Sequence, residues 1–146
     1  MKIVVGIDGS DGGRAALHWA LDEARAHGAA LQVAYAWQMP TAASALGVPL
    51  QASSFEDVRQ SAKAVLHDEI QMLGHDFDDV NLTAETFEGH PSDVLVAASS
   101  DADLLVVGCR GRGGLTSLVL GSVSRGCAHH ARCPVVIVPP VLSISA

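Results

Sequence analysis

The sequence predicts an α/β fold in which a parallel sheet is covered by crossover helices, and three observations carry that prediction. Short β-branched runs alternate with helical stretches along the chain. The runs at 3–7 and 104–107 are apolar at nearly every position, as expected of strands buried on both faces. At 146 residues the chain suits one domain over 1–146, large enough to bury roughly 70% of its unfolded surface.

Five strands and four helices are predicted. Residues 3–7 form the first strand, after which glycines at 9, 12 and 13 turn the chain. Ser10 or Asp11 caps a helix whose Leu17, Ala20, Leu21 and Ala24 fall at i, i+3, i+4 and i+7, and Gly28 ends it. Residues 31–37 are the second strand, and 39–52 mix Pro, Ser, Ala and Gly without a period, as a loop does. Ser53 and Glu56 have capping-box spacing. They open a second helix with Val58, Ala62, Val65, Leu66, Met72 and Leu73 on one face, closed by Gly74. Residues 80–87 form the third strand, placed at a sheet edge because Asn81, Thr83 and Glu85 alternate with apolar residues. Pro91 suits the first turn of a third helix through about Ser100. Residues 104–107 are a central strand, 121–131 the fourth helix and 134–138 the last strand.

Composition excludes several function classes. A net charge of −7 and the lack of a dense basic stripe argue against nucleic acid. The apolar runs at 104–107 and 134–142 are far too short to span a bilayer, so no membrane partner is expected. Asp8 and glycines stand where a signal peptide would continue its apolar stretch, and Cys109, Cys127 and Cys133 form no C-x-x-C pair. A cytoplasmic protein with reduced thiols is expected. The adjacent His129 and His130 point about 100° apart on a helix, so no dedicated metal site is expected.

The informative stretch runs from Gly108 to Ser124. It leaves a buried strand and feeds a helix, where ligands sit in open α/β sheets. Glycines there let backbone N–H groups approach phosphate oxygens, and the helix N-terminus adds unpaired donors and partial positive charge. Ser122 and Ser124 can add hydroxyl donors, and Arg110 and Arg112 can reach outer phosphates. Asp8, at the end of the first strand, can accept from ribose hydroxyls, ligate a hard cation or cap the following helix. Better-known signatures fail: no Gly-Lys pair supports a P-loop, Gly6, Gly9 and Gly12 lack dinucleotide spacing, and no G-x-S-x-G elbow exists.

Gly108, Gly111, Gly121 and Ser122 meet the spacing G-x2-G-x9-G-[ST], which resembles the nucleotide-binding motif of the universal stress protein family. Val5-Gly6-Ile7-Asp8-Gly9-Ser10, the Gly89-His90-Pro91 turn and the Cys133-Pro134-Val135-Val136-Ile137-Val138 ending resemble the same family. The resemblance implies a doubly wound, Rossmann-like five-stranded sheet of the adenine nucleotide alpha hydrolase type, in the order 3-2-1-4-5. It implies a homodimer through the last strand, at 134–138. By position, Asp8 would lie near the ribose or a phosphate-bound Mg²⁺, and Ile7, Ala36 and Val107 would line the adenine slot. Gly108, Arg110, Gly111, Arg112, Gly121, Ser122, Val123 and Ser124 would hold the phosphates. The expected ligand is ATP, with cyclic AMP or AMP left open, and the expected role is a stress sensor rather than an enzyme. A slow ATPase or autophosphorylating protein and a nucleotide-free interaction module are the alternatives.

Overall fold

The computed structural model of the chain describes residues 1–39, 52–109 and 119–140. Its elements run β1 (Lys2–Ile7), α1 (Asp11–His27), β2 (Ala30–Trp37), α2 (Ala52–Gln71), β3 (Leu82–Glu88), α3 (Pro91–Ala98), β4 (Leu104–Gly108), α4 (Ser122–His130) and β5 (Val135–Val138). All strand pairs are parallel, in the order β3-β2-β1-β4-β5. The central strands owe their place to composition. Ile3, Val4, Val5, Leu105 and Val106 are fully buried, so both faces of β1 and β4 are covered.

Strand alternation sorts the side chains into two cores. Ile3, Val5, Ile7, Leu31, Val33, Leu104 and Val106 face α1 and α2. Val4, Ala34, Leu105 and Val107 face the other layer, with Leu95 of α3 and Cys127 of α4. Gly6 belongs to the second face. A Cβ there would stand 2.5 Å from Leu95 Cδ1, so the missing side chain is what lets α3 lie against β1.

Helix ends follow the expected chemistry with some displacement. Ser10, not Asp11, is the N-cap of α1, its Oγ accepting from Gly13 N at 3.1 Å, and Gly28 closes the helix at φ 61°. α2 begins at Ala52, so Ser53 lies inside the helix and is not its cap. The helix also stops at Gln71, ahead of the predicted end. Beyond it Leu73 N donates to Ile70 O in a tighter turn, which buries Leu73 and leaves Met72 65% exposed, against the expectation that both face the core. Val80 also changes role: its amide donates to Phe77 O in a turn, its side chain packs on the first core, and β3 starts only at Leu82. Arg14 ties α1 to α2, its Nη2 and Nε donating to the two carboxylate oxygens of the buried Glu69 at 3.0 and 3.1 Å. Among the described residues no helix is long and apolar enough to cross a membrane.

Candidate functional site

In this strand order the chain reverses direction between β1 and β4, and a crevice opens beyond the carboxyl ends of strands at such a point. Two loops flank it: the turn from β1 into α1, and the segment from β4 into α4.

The first loop is built around Asp8. The Ser10 amide donates to Asp8 Oδ1 at 3.0 Å and the Ser10 hydroxyl donates to the same oxygen, while Ser10 Oγ caps α1. Asp8 therefore braces the capping serine, the residue just before the helix starts. The chain between them passes through Gly9 at φ 80°, a conformation that side-chain-bearing residues rarely adopt. α1 then lays its first turn over the end of β4. A Cβ on Gly108 would lie 2.7 Å from Gly12 O and 2.8 Å from Gly12 C, so the two loops touch backbone to backbone.

The second loop is closed at its neck. Gly121 N donates to Cys109 O at 2.9 Å, the Ser124 hydroxyl lies 3.0 Å from both Cys109 O and Gly121 O, and Cys109 N donates to Val138 O of β5 at 2.8 Å. Ser124 is 2% exposed. A hydroxyl has one proton, and here it is directed at the neck carbonyls.

α4 starts from this neck with Gly121 as N-cap, extended at φ −64° and ψ 164° and without a side-chain cap. Ser, Thr or Asp at that place would satisfy a first-turn amide itself. Glycine cannot, and no acceptor among the described residues meets the amides of Ser122, Val123 and Ser124. The first intrahelical bond is from Arg125 N to Gly121 O, at 3.0 Å. Ser122 is exposed at the open end. Unpaired donors and the positive end of the helix dipole make this a place that favours an anion.

The three residues expected to line one adenine slot are split by strand alternation. Ala36 pairs in register with Phe87 and shares the α3/α4 face with Val107. Ile7 is on the opposite face, 6% exposed within the α1/α2 core, so its side chain is unavailable to that slot. Arg110, Gly111 and Arg112 lie outside the described residues. The Gly12–Gly108 contact and the Ser124 neck have no short sequence signature, because each joins atoms whose approach depends on the packed sheet, whereas the Asp8–Ser10 brace is local, an Asp side chain meeting the backbone two residues on.

The cysteines differ sharply in setting. Cys127 is fully buried against the sheet, and burial, helped by the nearby Cys133, pushes its thiol up to about 11. Cys109 and Cys133 are partly exposed. Iodoacetamide at pH 8 is expected to label Cys109 and Cys133 in the folded protein and to reach Cys127 only after unfolding. Peptide mass spectrometry distinguishes the three, and native labelling of Cys127 would contradict its burial.

A model described as the universal stress protein family matches residues 1–139. A universal stress protein of Mycobacterium tuberculosis is 36% identical over 135 residues, covering 92% of this chain and 44% of the relative. The chain thus spans less than half the length of the mycobacterial relatives it matches. One from Thermus aquaticus is 33% identical over 138 residues, covering 93% of this chain and 96% of the relative. A solved universal stress protein in complex with cAMP superposes with a TM-score of 0.67 at 26% identity, covering 97% of this chain and 98% of the other.

Proposed function

Since the chain belongs to the universal stress protein family, we propose that it binds an adenine nucleotide at the β1/β4 crevice and acts as a nucleotide-responsive stress regulator rather than an enzyme. The observation that carries this is the uncapped N-terminus of α4, where Gly121 leaves the amides of Ser122 and Val123 to an outside anion. The relative solved with cAMP supports the adenine part. In this assignment Gly108, Gly111, Gly121, Ser122 and Val123 hold the phosphate nearest the ribose, and Ser124 positions them by closing the neck. Ala36 and Val107 offer the apolar surface for the base. Asp8 faces the ribose, or Mg²⁺ carried by the phosphates of ATP.

The test is direct: denature the purified protein and identify the released small molecule by mass spectrometry, then titrate ATP and cyclic AMP calorimetrically. Retained or bound adenine nucleotide supports the assignment, and no binding of either ligand overturns it.

ATP and cyclic AMP separate by charge, since the triphosphate presents several anionic oxygens and the cyclic ligand one negative charge beside the ribose. Replacing Arg110 and Arg112 together by Ala is expected to weaken ATP by about 1.5–3 kcal/mol for each charged hydrogen bond lost, and cyclic AMP far less. Ser122→Ala should weaken both alike. Equal losses for the two ligands in the double variant would show that the arginines only rim the loop.

We also propose a homodimer through β5. Among the described residues this apolar strand pairs only with β4, leaving its outer edge open to a second copy. Light scattering should show a dimer at micromolar concentration, weakened by Val136→Lys; a monomeric wild type would remove the assignment.

A further inference from the structure

Away from the crevice, α2 and the carboxyl ends of β2 and β3 enclose an open groove of about 780 Å³, within the usual range for small-molecule sites. It exists because β3 does not fill it. Ala84, Thr86 and Glu88 share the face turned toward α2, and the first two are too small to reach across. The apolar lining comes from Trp37, Phe55, Leu66, Ile70 and Ala84. Trp37 and Phe55 meet edge to face at 5.3 Å, and Phe55 is 38% exposed along the groove.

The rim is charged in a definite pattern. Arg59, Lys63 and His67 recur every fourth residue, so they share one face of α2 along the groove. Arg59 is engaged by Glu56 at 3.3 Å, whereas Lys63 makes no ion pair among the described residues. Across the groove stands Glu88 of β3, on the face shared with Ala84 and Thr86. A ligand with two separated negative charges would set one of them against this carboxylate, so the arrangement suits a single anionic group held at the α2 side.

We propose that this groove is a second binding site, for an amphipathic monoanion of the fatty or aryl carboxylate class, with its apolar body on Trp37, Phe55 and Ala84 and its carboxylate on Lys63. The site is separate from the nucleotide crevice, and the proposal does not depend on it. Lys63 supplies the cation, and its flexible stem lets the ammonium follow the head group. Ala84 sets the depth of the floor.

Laurate, dodecanol and dodecylamine serve as probes below their micellar concentrations. The chain has two tryptophans, Trp19 and Trp37, so Trp19→Phe leaves Trp37 as the fluorescent reporter, and calorimetry on the unmodified protein checks the result. Laurate should give a saturable change, with dodecanol and dodecylamine at least tenfold weaker. Lys63→Glu should weaken laurate at least tenfold while Lys63→Arg restores it, and Ala84→Phe, at an exposed strand position, should abolish binding by filling the floor. Circular dichroism checks that each variant folds, and Lys63→Glu carries the test alone if Ala84→Phe misfolds. No saturable binding, equal binding of all three head groups, or undiminished binding in Lys63→Glu would each overturn the proposal.

Discussion

Gly121→Glu is expected to abolish nucleotide binding while leaving the fold as stable as before, or slightly more so. At φ −64° the backbone of Gly121 is open to any residue, so the substitution brings no backbone strain. A carboxylate at an N-cap can accept from the first-turn amides and sits at the positive end of the helix dipole, which stabilises α4 by about 0.3–1 kcal/mol. The same carboxylate takes the donors proposed for the phosphate and repels it. Losing one charge-assisted hydrogen bond costs about 1.5–3 kcal/mol, so two lost together weaken binding by at least about a hundredfold. Calorimetry with ATP and a thermal melt give the two readouts. Unchanged affinity in a folded variant would mean that α4 does not receive the phosphate. A large fall in melting temperature would mean that the glycine is needed for packing instead.

Gly108→Ala should behave in the opposite way, losing stability and affinity together. The new Cβ would meet Gly12 O and Gly12 C, which are backbone atoms and cannot rotate aside. Either the first turn of α1 lifts or the end of β4 is displaced. Overpacking of this kind costs about 1–3 kcal/mol, seen as several degrees in the melting midpoint of a domain this size. Both loops of the crevice move with it, so nucleotide affinity falls as well. A variant with the wild-type melting temperature would show that the loops do not press on each other at this point.

These two glycines also show how far the sequence could be read. The five strands and four helices were legible, because buried parallel strands need unbroken apolar runs and helices need periodic ones, whereas the strand order came through the family resemblance. Gly28 was legible as a helix end, where positive φ is usual, whereas Gly74, also at positive φ, lies in the turns beyond Gln71. What escaped depends on contacts between elements. Ser53 had the spacing of a cap, but α2 starts one residue earlier and absorbs it. Met72 had the period of a core residue, but the helix stops before it. Ser124 had the chemistry of a ligand donor, but its hydroxyl closes the loop neck. Ile7 was grouped with Ala36 and Val107 through the family resemblance, although alternation sends the Ile7 and Val107 side chains to opposite layers. The groove under α2 had no signature at all, for it arises from the distance between a helix and a strand edge.

The neck between Cys109 and Gly121 bears on how such a chain can change over generations. Its hydrogen bonds fix where the chain leaves the sheet and where it rejoins a helix, whatever residues connect the two points. Closing a connection costs free energy that grows only with the logarithm of its length, so doubling an insert adds only about 0.6 kcal/mol. Residues 110 to 120 are thus an exchangeable cassette on a fixed mount. If nucleotide binds at this neck as proposed, ligand preference can drift there, by insertion, deletion or replacement, without the rest of the domain having to be rebuilt.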